Sequence, residues 1–164
     1  MRHTLYLAKA EDDRYGAYAY AITNFKGTVD QGVYIAVGRR KNDESYCGHI
    51  ALQRALRQAT KKCEGPVQLT IVLDDDLAEC VAYEVMSVLG RSPLYPALCR
   101  TTQRIMRRFD SAEFAAMTRD ESDLRPAEAA VIDDALEALE DAGSLMGGIK
   151  LRWQSIVRPK NIIR

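Results

Sequence analysis

At 164 residues, with 47% hydrophobic and 28% charged side chains, the chain has the apolar content to bury the core of one soluble domain. Its 23 basic and 23 acidic residues cancel to a formal net charge of zero, which excludes a global field drawing it to nucleic acid; any such attraction has to come from local patches. No apolar run approaches the roughly 20 residues of a membrane span, and the N-terminus lacks the apolar stretch and cleavage site of a secretory signal, so no membrane and a cytoplasmic location are expected.

Thr4 to Ala10 alternates around Leu5 and Leu7 and predicts a first strand, followed by the polar turn Glu11-Asp12-Asp13-Arg14. Tyr15 to Thr23 alternates tyrosines with small residues, as a half-buried strand does. Asn24-Phe25-Lys26-Gly27 is a short connection to a third strand, Asp30 to Val37. Two short turns joining three strands predict an antiparallel meander. Asn42 or Asp43 then caps a helix with Leu52, Ala55, Leu56 and Ala59 on one side, and Glu64-Gly65-Pro66 breaks it. The β-branched run Val67 to Leu73 predicts a strand buried on both faces. Leu77, Val81, Val85 and Val88 recur at roughly helical spacing, so the chain turns from strand to helix at Asp74-Asp75-Asp76.

Gly90 to Pro96 reads as a loop, and Thr101 or Thr102 as the cap of a helix holding Ile105, Met106 and Phe109. Ser111 to Met117 is a short helical or strand piece, and Arg119 to Arg125 a charged connection. Pro126 suits a first helical turn, Ala127 to Ala142 is helical by propensity, and Gly143 ends it. After Met146-Gly147-Gly148, Ile149 to Val157 is expected as a last strand or an extended tail. The expected architecture is α/β: a mixed sheet with helices on both faces over residues 1–143, then a basic C-terminal strand or tail over 144–164.

Charge is unevenly placed. Arg91, Arg100, Arg104, Arg107 and Arg108 form one basic segment; Arg39, Arg40, Lys41, Arg54, Arg57, Lys61 and Lys62 form a second; Lys150, Arg152, Arg158, Lys160 and Arg164 form a third. Asp110 to Asp141 is acidic, with Asp120, Glu121 and Asp123 at its centre. Arginine suits bidentate phosphate contact, so Arg39, Arg40, Arg100, Arg104, Arg107 and Arg108 are the candidate nucleic-acid ligands; solvated helix faces are the plain alternative. Cys47, Cys63, Cys80 and Cys99 make no C-x-x-C pair and read as reduced core residues rather than a zinc clip. Cys47 and His49 are too close along one helix to face each other as nucleophile and base.

Two-metal phosphodiester chemistry needs carboxylates converging from different elements. The candidates are Glu11, Asp12 or Asp13 after strand one, Asp43 or Glu44 at the first helix, Asp74, Asp75 or Asp76 at a strand end, and Asp133 or Asp134. Each has a structural alternative as a turn, cap or helix-start residue.

The element order β-β-β-α-β-α, with a later basic helix and a final acidic one, resembles the ribonuclease H-like fold over roughly Thr4 to Ala142. YGAYAYAIT looks like that family's second strand, HIALQRALRQA like its first helix, and IVLDDDLAECV like its fourth-strand aspartate and following helix. AVIDDALEAL falls where its last catalytic aspartate opens the final helix. The resemblance implies, for an active member, a metal-dependent nuclease with catalytic Asp74, Asp133, Glu44 and Asp12, and magnesium held by Asp74 and Asp133. The chain departs from the family at strand one, which reads Ala8-Lys9-Ala10-Glu11, and in the first helix, where Gly48 or His49 replaces a glutamate and Glu44 lies one turn earlier. Three readings follow. One is a nucleic-acid-associated domain with a degenerate active site and no cofactor, binding RNA or DNA. The second is the magnesium-dependent nuclease. The third is a protein-binding inhibitor or adaptor from a mobile element.

Overall fold

The computed structural model describes residues 1–86, 92–117, 124–157 and 159–164. Val88, Gly90, Arg91, Arg119, Asp120, Glu121, Asp123 and Arg158, named above, lie outside them. The described chain runs β1 (Arg2–Glu11), β2 (Gly16–Asn24), β3 (Gly27–Ala36), α1 (Glu44–Lys62) and β4 (Gln68–Leu73). It continues through α2 (Asp75–Leu77), a π-helical turn (Ala78–Ala82) and α3 (Tyr83–Met86). Then come α4 (Pro96–Met106), β5 (Ser111–Ala116), α5 (Pro126–Gly143), α6 (Leu145–Val157) and β6 (Ile162–Ile163).

The strands form one mixed sheet in the order β5-β4-β1-β2-β3-β6. The meander β1-β2-β3 is antiparallel, whereas β4 pairs parallel with β1 and β5, and β6 pairs parallel with β3. Strand alternation sends successive side chains to opposite faces. Leu5 and Leu7 of β1, Tyr18, Tyr20 and Ile22 of β2, and Leu69, Ile71 and Leu73 of β4 pack beneath Leu52, Leu56 and Ala59 of α1 and Cys99 and Ile105 of α4. Tyr6, Ala8 and Ala10, with Ala17, Ala19, Ala21 and Val72, face Val131, Ala135 and Ala142 of α5. The predicted α/β sheet with helices on both faces is what the chain forms.

Gly48 sets how closely α1 meets the segment after β4. A Cβ there would stand 2.8 Å from Val81 Cγ2, closer than real Cβ atoms approach their neighbours, and a tight 3.0 Å from Leu77 Cδ2. Asp43 caps α1, its Oδ1 accepting from Tyr46 N at 3.1 Å. Arg54 of α1 donates to the Lys160 and Ile162 carbonyls, which holds the C-terminal residues beside β3.

Two local expectations are corrected, at Thr101–Thr102 and at residues 149–157, and one left open as helix or strand is decided. Thr101 and Thr102 lie inside α4, which starts at Pro96 after Tyr95; Pro96 needs no N–H donor in the first turn, and Thr102 is buried. Ser111–Ala116 is a strand, paired edge to edge with β4. Residues 149–157 are helical, within α6, because Ser144 caps that helix by accepting from Gly147 N at 3.0 Å and Leu151 has an apolar seat near Ala142.

Candidate functional site

In a sheet of this kind, sites are built at the carboxyl ends of parallel strands. Here β4 ends beside Leu7 of β1, which runs on to Glu11. Leu7 pairs with Leu73, and the ladder continues as Asp74 N donates to the Leu7 carbonyl. The Asp74 carboxylate is held at both oxygens: Oδ2 accepts from Lys9 N at 2.6 Å and Oδ1 from Leu77 N at 2.9 Å. One oxygen ties β4 to β1 and the other caps α2. Burial pushes the Asp74 carboxyl up from its ordinary range, against the pull of the two backbone donors.

Lys9 continues the Leu5–Leu7 row and points to the α1 face. Its side chain is only 4% exposed, and its Nζ donates to Glu44 Oε1 at 2.7 Å and lies 3.6 Å from Glu11 Oε1. Burial works against its charge. The Glu44 hydrogen bond and the charges of Glu11, Glu44 and Asp76 outweigh that, and the ammonium is held above the ordinary lysine range. A cation on the chain therefore sits within a set of carboxylates drawn from β1, α1 and the turn after β4.

The other predicted carboxylates occupy different settings. Asp12 is an exposed turn residue whose Oδ1 accepts from Arg14 N and Tyr15 N, both at 2.8 Å; the Tyr15 bond is the main reason its carboxyl is held low. Asp133 is exposed and Asp134 half-buried on α5, the helix on the opposite face from Lys9 and Glu44. Among the described residues, three His, Cys, Asp or Glu ligand atoms converge within 4.8 Å of one another only at His49, Glu84 and Cys99. Asp12, Glu44, Asp74 and Asp133 form no such trio.

Arg100 and Arg104 lie exposed along α4, with exposed Arg107 and Arg108 just beyond it. Arg39 and Arg40 are exposed in the 3-10 turn Arg39–Asn42 before α1. The Arg40 guanidinium lies 4.3 Å from the centre of the Tyr46 ring, which meets Tyr95 edge-on at 5.8 Å. The Tyr95 hydroxyl donates to Asp43. These contacts join the turn, α1 and the start of α4, the elements that carry the arginines.

Two features escaped sequence reasoning. The signal for Lys9 was a charged residue in register with two buried leucines. His49, Glu84 and Cys99 are separated by 35 and 50 residues from first to second and first to third, so no local motif marks them.

Neither a family model nor a curated protein sequence matches the chain. Among solved structures it is similar to ribonuclease H1 from the halophilic archaeon Halobacterium salinarum, at 20% identity and a TM-score of 0.56, over 82% of this chain and 100% of that one. It is also similar to LC11 ribonuclease H1, isolated from compost and solved with an RNA/DNA hybrid, at 16% identity and a TM-score of 0.63 over 87% and 99% of the two chains. A third structure is the N-terminal ribonuclease H domain of a Mycobacterium tuberculosis protein, at 14% identity and a TM-score of 0.56 over 82% and 98%. At such identities the likeness is one of fold: this chain has the ribonuclease H-like α/β fold.

Proposed function

We propose that this chain is a nucleic-acid-binding ribonuclease H-like domain whose sheet-end carboxylates are neutralised by Lys9 instead of by metal. The observation that carries this reading is the buried Lys9 ammonium on Glu44, with Glu11 close by and Asp74 hydrogen-bonded to the Lys9 backbone. Magnesium requires near-octahedral oxygen ligands, one or two of them carboxylates. The donor set does not fit it. A positive charge already stands where such an ion would need anions, and like charges at that range repel strongly in a half-buried site. Asp74 is also committed to two backbone N–H groups, and Asp133 belongs to the other face.

Affinity would then come from the arginines. The ribonuclease structure solved with an RNA/DNA hybrid gives the class of partner to try first. Arg100, Arg104, Arg107 and Arg108 would contact the phosphate backbone, joined by Arg39 and Arg40. Each neutralised phosphate releases a counterion, so binding weakens as salt rises. In a hybrid-binding titration, replacing Arg104, Arg107 and Arg108 should lower the slope of log affinity against log salt by about 2–3. The chain should leave the hybrid uncut in Mg²⁺ or Mn²⁺, and neither ion should raise its melting temperature. Metal-dependent cleavage abolished by Asp74→Asn would establish the magnesium nuclease instead.

A second reading, a protein-binding adaptor, is favoured by α6. That helix exposes Met146, Ile149, Trp153 and Ile156, each by at least 62%. A partner retained at high salt and released by Trp153→Glu would favour it over the arginine surface.

A further inference from the structure

Beneath the surface where α1, α3 and α4 meet lies a cluster that the nucleic-acid reading does not use. His49 Nε2 lies 3.2 Å from Glu84 Oε2 and 3.6 Å from Cys99 Sγ, and Cys99 Sγ lies 3.8 Å from Glu84 Oε2. His49 is fully buried, Cys99 is 5% exposed and the Glu84 side chain 10%. Three chemically different donors thus form a small triangle in the helical layer, contributed by three separate elements.

The hydrogen bonds around the triangle fix which atoms face into it. The Thr102 hydroxyl donates to the Leu98 carbonyl at 3.0 Å, which uses its only proton. Towards Gln53 Nε2, at 3.2 Å, and His49 Nδ1, at 3.4 Å, Thr102 Oγ1 can therefore only accept. With the Thr102 proton on the Leu98 carbonyl, a His49 that binds metal through Nε2 donates from Nδ1 to Thr102 and turns Nε2 toward the carboxylate and the sulfur. This is the second-shell arrangement of metal-binding histidines, in which the far ring nitrogen donates to an oxygen and fixes the tautomer. Ser45 Oγ donates to the Glu84 carboxylate, 3.1 and 3.2 Å from its two oxygens, and so orients that group as well. A single shared proton can satisfy one edge of the triangle. A cation at its centre satisfies all three.

The dimensions suit one cation in particular. With bonds of about 2.0–2.1 Å to nitrogen, 2.0–2.2 Å to oxygen and 2.3 Å to sulfur, a tetrahedral zinc ion needs N···O, N···S and S···O edges of about 3.4, 3.6 and 3.6 Å. The observed edges are 3.2, 3.6 and 3.8 Å. A mixed imidazole, thiolate and carboxylate set is also what zinc takes, whereas magnesium and calcium want oxygen alone. Glu84 and Ser45 line a cleft that also carries Asp76 and Glu79, an acidic approach for a divalent cation.

We propose that His49 Nε2, Glu84 Oε2 and Cys99 Sγ form a zinc site, with water as the fourth ligand. Zinc binding releases the Cys99 thiol proton to solvent, and the metal ties α1, α3 and α4 together. The site is separate from the Lys9 carboxylates and stands whether or not nucleic acid is bound.

The test uses the full chain stripped with a chelator and titrated with Co²⁺ and then Zn²⁺. One equivalent of Co²⁺ should give the visible bands of tetrahedral cobalt and a thiolate charge-transfer band, and Zn²⁺ should displace it. Cys99→Ser should remove the charge-transfer band, whereas Cys63→Ser should leave it. Ser45→Ala and Thr102→Val, which remove a hydrogen bond to Glu84 and to His49 while leaving the three ligand atoms in place, should weaken zinc affinity about 10–100-fold. Should Cys99→Ser fail to fold, alkylation of the unmutated chain decides: zinc should slow reaction at Cys99 and leave Cys63 unaffected. The proposal is overturned if the folded chain gives no tetrahedral cobalt spectrum, if the band survives Cys99→Ser, or if zinc leaves Cys99 alkylation unchanged.

Discussion

The two faces of the sheet are filled in different ways. Beneath α1 and α4, β1, β2 and β4 present leucines, isoleucines and tyrosines, and the helices answer with Leu52, Leu56 and Ile105. Beneath α5 the same strands present mainly alanines, Ala8, Ala10, Ala17, Ala19 and Ala21, against Val131, Ala135 and Ala142. The first face is thick enough to enclose polar groups: Lys9, His49, Gln53, Thr102 and most of Glu84 lie within it or at its margin. The second is a thinner seam whose buried charged group, Glu128, sits at the start of α5 and accepts from Arg125 N. The chemistry of this protein belongs to one side of its sheet, and that is why Asp133, on the other side, does not join Glu44.

Substitutions can break this contrast, beginning with the largest effect. Leu52→Ala opens a cavity in the thick face and should cost about 2–5 kcal/mol in urea unfolding. The reverse error, Ala135→Leu, forces a larger side chain into the thin face and should cost about 1–3 kcal/mol. A smaller loss than for a surface residue, within about 0.5 kcal/mol, would show that α5 stands off the alanines and would remove the distinction. Asp74→Asn should have the smallest effect, about 1 kcal/mol, since asparagine still caps α2 and only the bond from Lys9 N is weakened.

That last variant also has a pH signature. Burial raises the Asp74 carboxyl above its unfolded value of 3.8, so the native state keeps the proton to higher pH. The stabilising contribution of the protonated form is complete below 3.8 and is lost as pH rises through the raised value. The stability of the unmodified chain relative to Asp74→Asn should therefore fall from pH 3.8 toward neutrality. A difference that grows over that range would mean that Lys9 and the backbone donors dominate instead.

The strands were legible because alternation in Thr4–Ala10 and Tyr15–Thr23 marks extended chain, although Tyr15–Thr23 reads as half-buried and its strand is buried on both faces, the tyrosines toward α1 and the alanines toward α5; Asp74 was legible as the point where strand becomes helix. The helix over 145–157 was obscured because Gly147-Gly148 reads locally as a break, while its cap at Ser144 and the seat for Leu151 depend on neighbours. Lys9 was visible as a residue but not as a cation in a pocket, since that role needs Glu44 of α1 brought against β1. The cluster of His49, Glu84 and Cys99 was hidden more deeply. Its members come from three helices, and Gly48 and the π-turn Ala78–Ala82 shape how two of those elements meet.

Lys9 carries a consequence of its own. A metal ion occupies a site according to its free concentration and leaves when a chelator competes for it. An ammonium on the chain has a fixed effective concentration beside Glu44 that no dilution or chelator alters. The charge balance at this end of the sheet is therefore independent of the supply of divalent metal, and what unloads it is pH: acid that protonates Glu44, or a pH above the ordinary lysine range.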